Sequence, residues 1–331
     1  MALFPNSDLR RILRSGIKNL GILVLLWVLF SCVYKLVPYT KAGDEVIYET
    51  KVNKLLSSVE FPTDAKYKIA VFGSSVVLSG FIPDVFDNAD TNTYSYNLGL
   101  PASGHFVFAL ELLIKRNQIP THVFLTTTWP KEEQKTAFSL PHDKNIIETL
   151  FPFQSLPRNL TLFFLRSRNR GGIVEYYQAA KRTAEQMLAG RGYYFIEGQS
   201  HFPNHRLPDE FKLQSDTPDI IRTRFFDTTN PIFKKLIEIH NKHDIKFYIV
   251  PTYRRAGSAA QCSLENKNAD VFKNSPGLHV LGPEYYLFVN RYFSDATHVN
   301  PEGAELYTKK LRELFDENIV TTEATHYYLN K

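Results

Sequence analysis

Cysteine is nearly missing from this chain: Cys32 and Cys262 are its two. Cys32 falls in an apolar N-terminal run, so the remainder carries one thiol and no internal disulfide. No Cys-x-x-Cys is present and the histidines are scattered, which gives a metal site no support; no cofactor is implied. The net charge is +5, yet no dense basic stripe or nucleic-acid motif appears, which sets nucleic acid aside as a partner. Internal repeats are absent. Charged residues make up 22%, an ordinary share that excludes wholesale disorder, and 331 residues bury one large core or two modest ones. Aromatics are what the chain has in quantity, 25 Phe and 18 Tyr. They suit a Phe-rich core, or a surface that meets sugars or a membrane interface.

One long, predominantly hydrophobic run stands out. Leu20–Val37, with Ile17 and Lys18 in front, is about long enough to cross a hydrocarbon core. Arg10, Arg11, Arg14 and Lys18 precede it against Asp8 alone, whereas Lys35 and Lys41 beyond it are offset by Asp44 and Glu45. The positive-inside rule then predicts a single-pass cell-membrane protein with a short cytoplasmic N-terminus and its main domain on the extracytoplasmic side. Three alternatives fit less well. A cleaved signal peptide lacks a good small-x-small site. A lipoprotein site at Leu29-Phe-Ser-Cys32 has a bulky Phe30. A buried core helix leaves the one-sided basic flank unexplained. The expected segments are an N-terminus over 1–16, an anchor over 17–37, a stalk over 38–66 with a helical stretch near Glu45–Val59, an α/β domain over 67–316 and a tail over 317–331.

Within the domain, short apolar runs predict strands at Lys68–Phe72, Thr93–Leu100, His122–Thr126, Ile245–Val250 and Leu278–Leu281. Apolar residues at 106, 109, 110, 113 and 114 mark an amphipathic helix. Further helices are expected at Pro231–His243 and from Asn300-Pro-Glu to about Phe315, where Asn caps and Pro takes the first helical position. Strands alternating with helices predict a parallel five-stranded sheet covered on both faces, with ligands at the strands' C-terminal ends. Residues 130–230 interrupt the alternation, and Gly172–Leu188 within them looks helical. So long a stretch reads as a helical insertion or lid carrying Arg166, Arg168 and Arg170.

The chemistry rests on two short runs. Lys68-Ile-Ala-Val-Phe-Gly-Ser-Ser75 ends a strand in a turn that can aim one hydroxyl into the strand-end crevice. Ser294-Asp-Ala-Thr-His298 comes some 220 residues later. A serine nucleophile needs a base, and the base needs a partner that fixes its tautomer. Ser75, His298 and Asp295 are the candidates for those roles. Alone, Asp-x-x-His is more often a solvated loop with an Asx cap, and Gly-Ser-Ser alone suits a nucleotide-binding turn. The latter predicts phosphate-cradling glycines next, and Val76-Val-Leu-Ser-Gly-Phe-Ile-Pro83 lacks them.

These residues resemble the SGNH (GDSL-like) hydrolase superfamily. Its Gly-Asp-Ser block is similar to Gly73-Ser74-Ser75, with Ser74 in the Asp place. Its Asn-Leu-Gly block is similar to Asn97-Leu98-Gly99, and its Asp-x-x-His block to Asp295–His298, followed by Asn300-Pro-Glu-Gly303. The Gly-x-Asn-Asp block has no counterpart: its place reads Thr126-Thr-Thr-Trp129. The resemblance implies an SGNH/flavodoxin-like three-layer fold. It implies an acyl-enzyme on Ser75 and an oxyanion hole of the Ser75 and Gly99 N–H groups; for the missing Asn either Thr127, Thr128 or a backbone N–H substitutes, or hydrolysis is weak. Ser74, Asn97 and Trp129 are candidate substrate contacts. With the N-terminal span, the chain looks like the anchored acyltransferases that transfer D-alanine to teichoic acids or acetyl groups to exopolysaccharides. Many of these work beside a membrane-bound O-acyltransferase (MBOAT). The implied partners are therefore the lipid bilayer, an MBOAT-type protein and a polysaccharide acceptor. The rivals are an esterase or deacetylase with the same site, and a catalytically silent glycan-binding or scaffold subunit.

Overall fold

The computed structural model describes residues 6–36, 44–87, 92–101, 106–126, 155–195, 200–212, 228–256 and 269–321. The described chain divides into two compact units, one of residues 1–46 with 135–182 and one of residues 47–134 with 183–331.

The first unit holds α1 (Asn6–Leu36), a helix that begins well ahead of the apolar run. Within it Arg11–Cys32 is long and apolar enough to cross a membrane, by length and composition. The basic residues Arg10 to Lys18 therefore belong to the same continuous helix rather than to a separate leading segment.

The second unit begins with α2 (Asp44–Glu49), whose last residues from Ile47 belong to it. A π-helical stretch, Thr50–Leu55, leads into α3 (Leu56–Ser58). This corrects the expected stalk over 38–66. Leu55, Leu56, Val59 and Phe61 are buried in the sheet's core. The segment is pinned as well as buried: Arg116 donates to the Leu56 carbonyl at 2.5 Å, and the Gln118 side chain accepts from the Phe61 N–H at 2.9 Å. Apolar residues at 52, 55, 56 and 59 carry the helical spacing that makes this burial possible.

The main sheet is built from β1 (Tyr67–Phe72), β2 (Thr93–Asn97), β3 (His122–Leu125), β4 (Lys246–Ile249) and, after β5 (Thr252–Arg255), β6 (Leu278–Val280). All five pair in parallel in the order β2-β1-β3-β4-β6, with Val71 opposite Asn97 on one side and Phe124 on the other. β5 leaves this sheet and pairs in parallel with β7 (Tyr285–Phe288).

Alternation along β1 separates the two faces. Ala70 and Phe72 pack with Leu110 and Leu113 of α6 (Phe106–Lys115). Tyr67, Ile69 and Val71 pack with the opposite layer, which contains α4 (Ser75–Gly80) and α5 (Pro83–Asp87). Phe86, Phe124 and Phe315 meet there with ring centroids 5.6–6.1 Å apart. Burying one such ring contributes about 1.5–3 kcal/mol, so much of the aromatic wealth is core.

Residues 130–230 are not one insertion. Among the described residues, α7 (Ser155–Arg168) and α8 (Ile173–Ala189) up to Arg182 belong to the first unit, and the chain from Thr183 belongs to the sheet unit. There Arg191 bonds Asp84, Asp87 and the Ser95 carbonyl, and its own carbonyl accepts from the Asn97 N–H at 2.9 Å, so this return segment covers the edge of β2. α9 (Pro231–His243) has the expected bounds, capped by Asn230, and joins the α6 face through Leu236 and Ile239. After α10 (Ala269–Phe272), α11 (Pro301–Phe315) closes the other face and continues as a π-helical stretch to Val320. Ile319 is buried, so the expected tail from 317 starts later.

Candidate active site

The chain leaves β1 toward β2 and returns to the other side of β1 for β3, so the C-terminal end of β1 is where the strand order switches, the usual crevice of such sheets. Gly73 makes the corner there. A Cβ on it would lie 2.3 Å from Thr126 Oγ1 and 2.4 Å from Val77, so no larger residue fits. Ser74 caps α4, its Oγ accepting from the Val76 N–H at 3.3 Å. Ser75 is the first residue of that helix, where a backbone N–H lies outside the intrahelical ladder.

The other half of the site is the loop closed by an antiparallel bridge between Phe293 and Val299, just ahead of α11. Asp295 organises it. One carboxylate oxygen accepts the N–H groups of Thr297 and His298, both at 2.7 Å, and the other accepts His298 Nδ1 at 2.8 Å. Below the loop, Asn300 Oδ1 accepts from the Gly303 N–H at 3.0 Å, while Asn300 Nδ2 donates to the carbonyls of His205 and Arg291. A Cβ on Gly303 would lie 2.2 Å from the Tyr292 carbonyl oxygen, which explains glycine three residues after the cap.

Across the crevice, His298 Nε2 lies 2.9 Å from Ser75 Oγ. A carboxylate only accepts, so His298 Nδ1 carries the proton toward Asp295 and Nε2 is left to accept the Ser75 O–H. Burial opposes ionisation of Asp295, but the hydrogen bonds from the His298 side chain and from the His298 and Thr297 backbone outweigh it and hold its carboxyl below the usual range. Asp295 is thus ionised at neutral pH and fixes the tautomer that makes His298 a base toward Ser75. The sequence-predicted trio Ser75, His298 and Asp295 comes together.

The other candidates divide. Ser74 is half-buried and caps the helix. Asn97, expected as a substrate contact, is wholly buried. Its Nδ2 donates to the carbonyls of Val77, Leu78 and Phe81, and its Oδ1 accepts from the Gly99 N–H at 3.1 Å and from Lys51 Nζ at 3.0 Å. With its amide spent on protein, Asn97 positions the helix that begins at Ser75. The Gly99 N–H, expected at the oxyanion, is held by Asn97 Oδ1 here, so serving an oxyanion requires sharing or releasing that bond. Thr128 and Trp129 lie outside the described residues.

Three supports were not foreseen from sequence. Lys51 is wholly buried, bonding the Asn97 carbonyl at 2.9 Å as well as its side chain, and burial pushes its amine far below the ordinary lysine range. Tyr253 is buried on β5; its O–H donates to the Val76 carbonyl at 2.9 Å, and burial raises its pKa. Arg255, also on β5, donates Nε to the Ala296 carbonyl at 3.0 Å and so braces the Asp295–His298 loop. β5 follows Pro251 directly and is four residues long, which hides it behind the end of β4 in the sequence. No group of three or more His, Cys, Asp or Glu arranged to hold a metal occurs among the described residues.

Comparison with protein-family models, with curated proteins and with solved structures finds no match.

Proposed function

We propose that this protein is an extracytoplasmic serine O-acyltransferase that modifies a cell-envelope polysaccharide, with an acetyl group as the favoured cargo. The observation that carries the reading is the unbroken Ser75–His298–Asp295 hydrogen-bonded chain at the end of β1. In the first step His298 Nε2 takes the Ser75 proton as Oγ bonds the donor's acyl carbon. The tetrahedral oxyanion collapses, and the donor's leaving oxygen departs with the proton held on Nε2. In the second step an acceptor hydroxyl gives its proton to Nε2 and attacks the acyl-enzyme, and Ser75 leaves with that proton. Asp295 stabilises the imidazolium throughout without becoming protonated. The Ser75 N–H serves the oxyanion, joined by Gly99 once its bond to Asn97 is released.

The motif order resembles the SGNH superfamily, and the missing third-block Asn suits a transferase, for which hydrolysis wastes the acyl group. The basic residues before the apolar run place the domain outside the cytoplasm in this reading. Because the sheet unit's core begins at Ile47, the linker after the apolar run is much shorter than a 38–66 stalk. A short linker suits an acyl donor delivered at the membrane, as by an MBOAT-type partner. A second reading, a catalytically silent glycan-binding subunit, draws on the occupied Gly99 N–H.

A fluorophosphonate probe tests the site on the full chain in membranes. Labelling that is abolished by Ser75→Ala and by His298→Ala is expected; no labelling of the wild type favours the silent subunit. Acyl release only with acceptor glycan supports transfer, and brisk release to water supports the esterase. A C-terminal reporter fusion active only in the cytoplasm would overturn the orientation and the envelope substrate with it.

A further inference from the structure

The turn between α7 and α8 carries a surface that the triad does not use. Phe163, on the inner side, packs on Tyr176 with ring centroids 5.3 Å apart, and Ser167 is buried. The turn is closed by the Gly172 N–H donating to the Ser167 carbonyl at 2.8 Å, with Gly171 and Gly172 both at positive φ. This tip presents four large apolar side chains to solvent: Phe164 is 52% exposed, Leu165 58%, Ile173 50% and Val174 74%. Between them Arg166, Arg168 and Arg170 are also exposed. From Ser155 to Val174 there is no Asp or Glu.

We infer that this hairpin tip docks into the interfacial layer of a lipid bilayer, its apolar residues among the upper acyl chains and its arginines on anionic headgroups. Three observations favour lipid over a protein surface. The charge is predominantly positive, three exposed arginines against Glu175 in the first turn of α8, which complements anionic lipid. The arginines are flanked by apolar pairs, Phe164-Leu165 before them and Ile173-Val174 after, so arginine stems can lie along the apolar layer while their heads stay at the headgroups, as interfacial helices require. The tip also belongs to the same compact unit as α1, the one described helix able to cross a membrane. The inference does not depend on acyl transfer. The ligand of the three arginines is then the phosphate of an anionic lipid.

The test uses the full chain with Cys32→Ser and Cys262→Ser, and one reporter thiol from Val174→Cys labelled with an environment-sensitive nitrobenzoxadiazole dye. It is reconstituted in vesicles of phosphatidylcholine alone or mixed with phosphatidylglycerol, with and without a shallow nitroxide lipid. The expected result is blue-shifted emission quenched by the nitroxide, stronger in the mixed vesicles. Converting Arg166, Arg168 and Arg170 together to Gln should lower the quenching several-fold without changing the thermal melt. Water-like emission and no quenching in both compositions would overturn the inference. So would equal quenching with and without phosphatidylglycerol, which removes headgroup recognition. A dye that is protected only in native membranes, and wet in both pure-lipid vesicles, would overturn it in favour of a protein partner.

Discussion

Removing the Lys51 amine should flatten the pH dependence of stability. The amine is wholly buried and bonds only the Asn97 carbonyl and side chain among the described contacts. Burial lowers its pKa in the folded state. In the unfolded chain a lysine returns to about 10.4. Between those two values the unfolded state binds a proton that the folded state does not. Stability therefore rises with pH through that window, by at most about 1.4 kcal/mol per unit. The destabilisation is fully present below the folded pKa and disappears as pH rises through the unfolded one. Lys51→Met keeps the stem and deletes the titration. It also strips the Asn97 carbonyl of its Lys51 partner, at about 1–3 kcal/mol for a buried unpaired acceptor. At pH 7 these effects oppose each other, so the absolute difference is a poor test and the slope is a good one.

Denaturant unfolding of the detergent-solubilised full chain at pH 7, 8 and 9 measures it. Wild type should gain on Lys51→Met by up to about 2.7 kcal/mol over the two units. Parallel pH profiles would refute a buried, deprotonating Lys51. A kinetic readout follows from the shared acceptor. Without Lys51, Asn97 Oδ1 has Gly99 as its remaining backbone donor, which holds that N–H more firmly away from an oxyanion. A shift of about 1 kcal/mol there would slow Ser75 labelling roughly five-fold.

Asp295→Asn retains an oxygen for the Thr297 and His298 N–H groups but presents an amide to His298, so the wrong tautomer follows; fluorophosphonate labelling should fall by about 10⁴-fold, and labelling within tenfold of wild type would contradict the triad. Because the Asp295 carboxyl is held below its ordinary value, the stability it contributes is present above the unfolded pKa of about 3.9 and is lost as pH falls through the folded value. The wild-type advantage over Asp295→Asn in thermal melts should shrink only in acid. Gly303→Ala places a methyl 2.2 Å from the Tyr292 carbonyl; overpacking of this kind costs about 1–3 kcal/mol. The melting temperature should drop by several degrees, and an unchanged melt would show that the α11 cap is looser than drawn.

Much of the sheet was legible because its strands are short apolar runs punctuated by Gly, Pro and Asn, and their parallel order follows from intervening helices. The Asp-x-x-His loop was legible because its partners are three residues apart. Asn97 was misjudged for a physical reason: an Asn at a strand end beside a candidate serine looks available to substrate, and only burial reveals that its amide binds three carbonyls of α4 and its cap. The stalk was misjudged because polar Lys51, Asn53 and Lys54 interrupt the apolar spacing, and a lysine that is wholly buried runs against the strongest compositional expectation. β5 and β7 escaped because four-residue strands next to proline carry little periodicity.

These misreadings converge on one structural feature, the end of β2. Lys51 from the N-terminal segment and the Arg191–Gly192 turn from the far side of the chain both meet Asn97, where a Cβ on Gly192 would lie 1.9 Å from the Asn97 carbonyl oxygen. Asn97 in turn grips α4, whose first residue is Ser75. The nucleophile's orientation thus depends, through Asn97, on two segments that carry no recognisable motif, those of Lys51 and Arg191. Burying a lysine without a carboxylate partner is a costly way to tie them, and simple apolar packing of the same segments would be more stable. What the amine supplies that a methyl cannot is a pair of hydrogen bonds to one residue's main chain and side chain, fixing the Asn97–Gly99 turn in register with Ser75. Stability spent at this position is consistent with a site whose geometry matters more than its margin, and the Lys51→Met kinetics separate that role from packing alone.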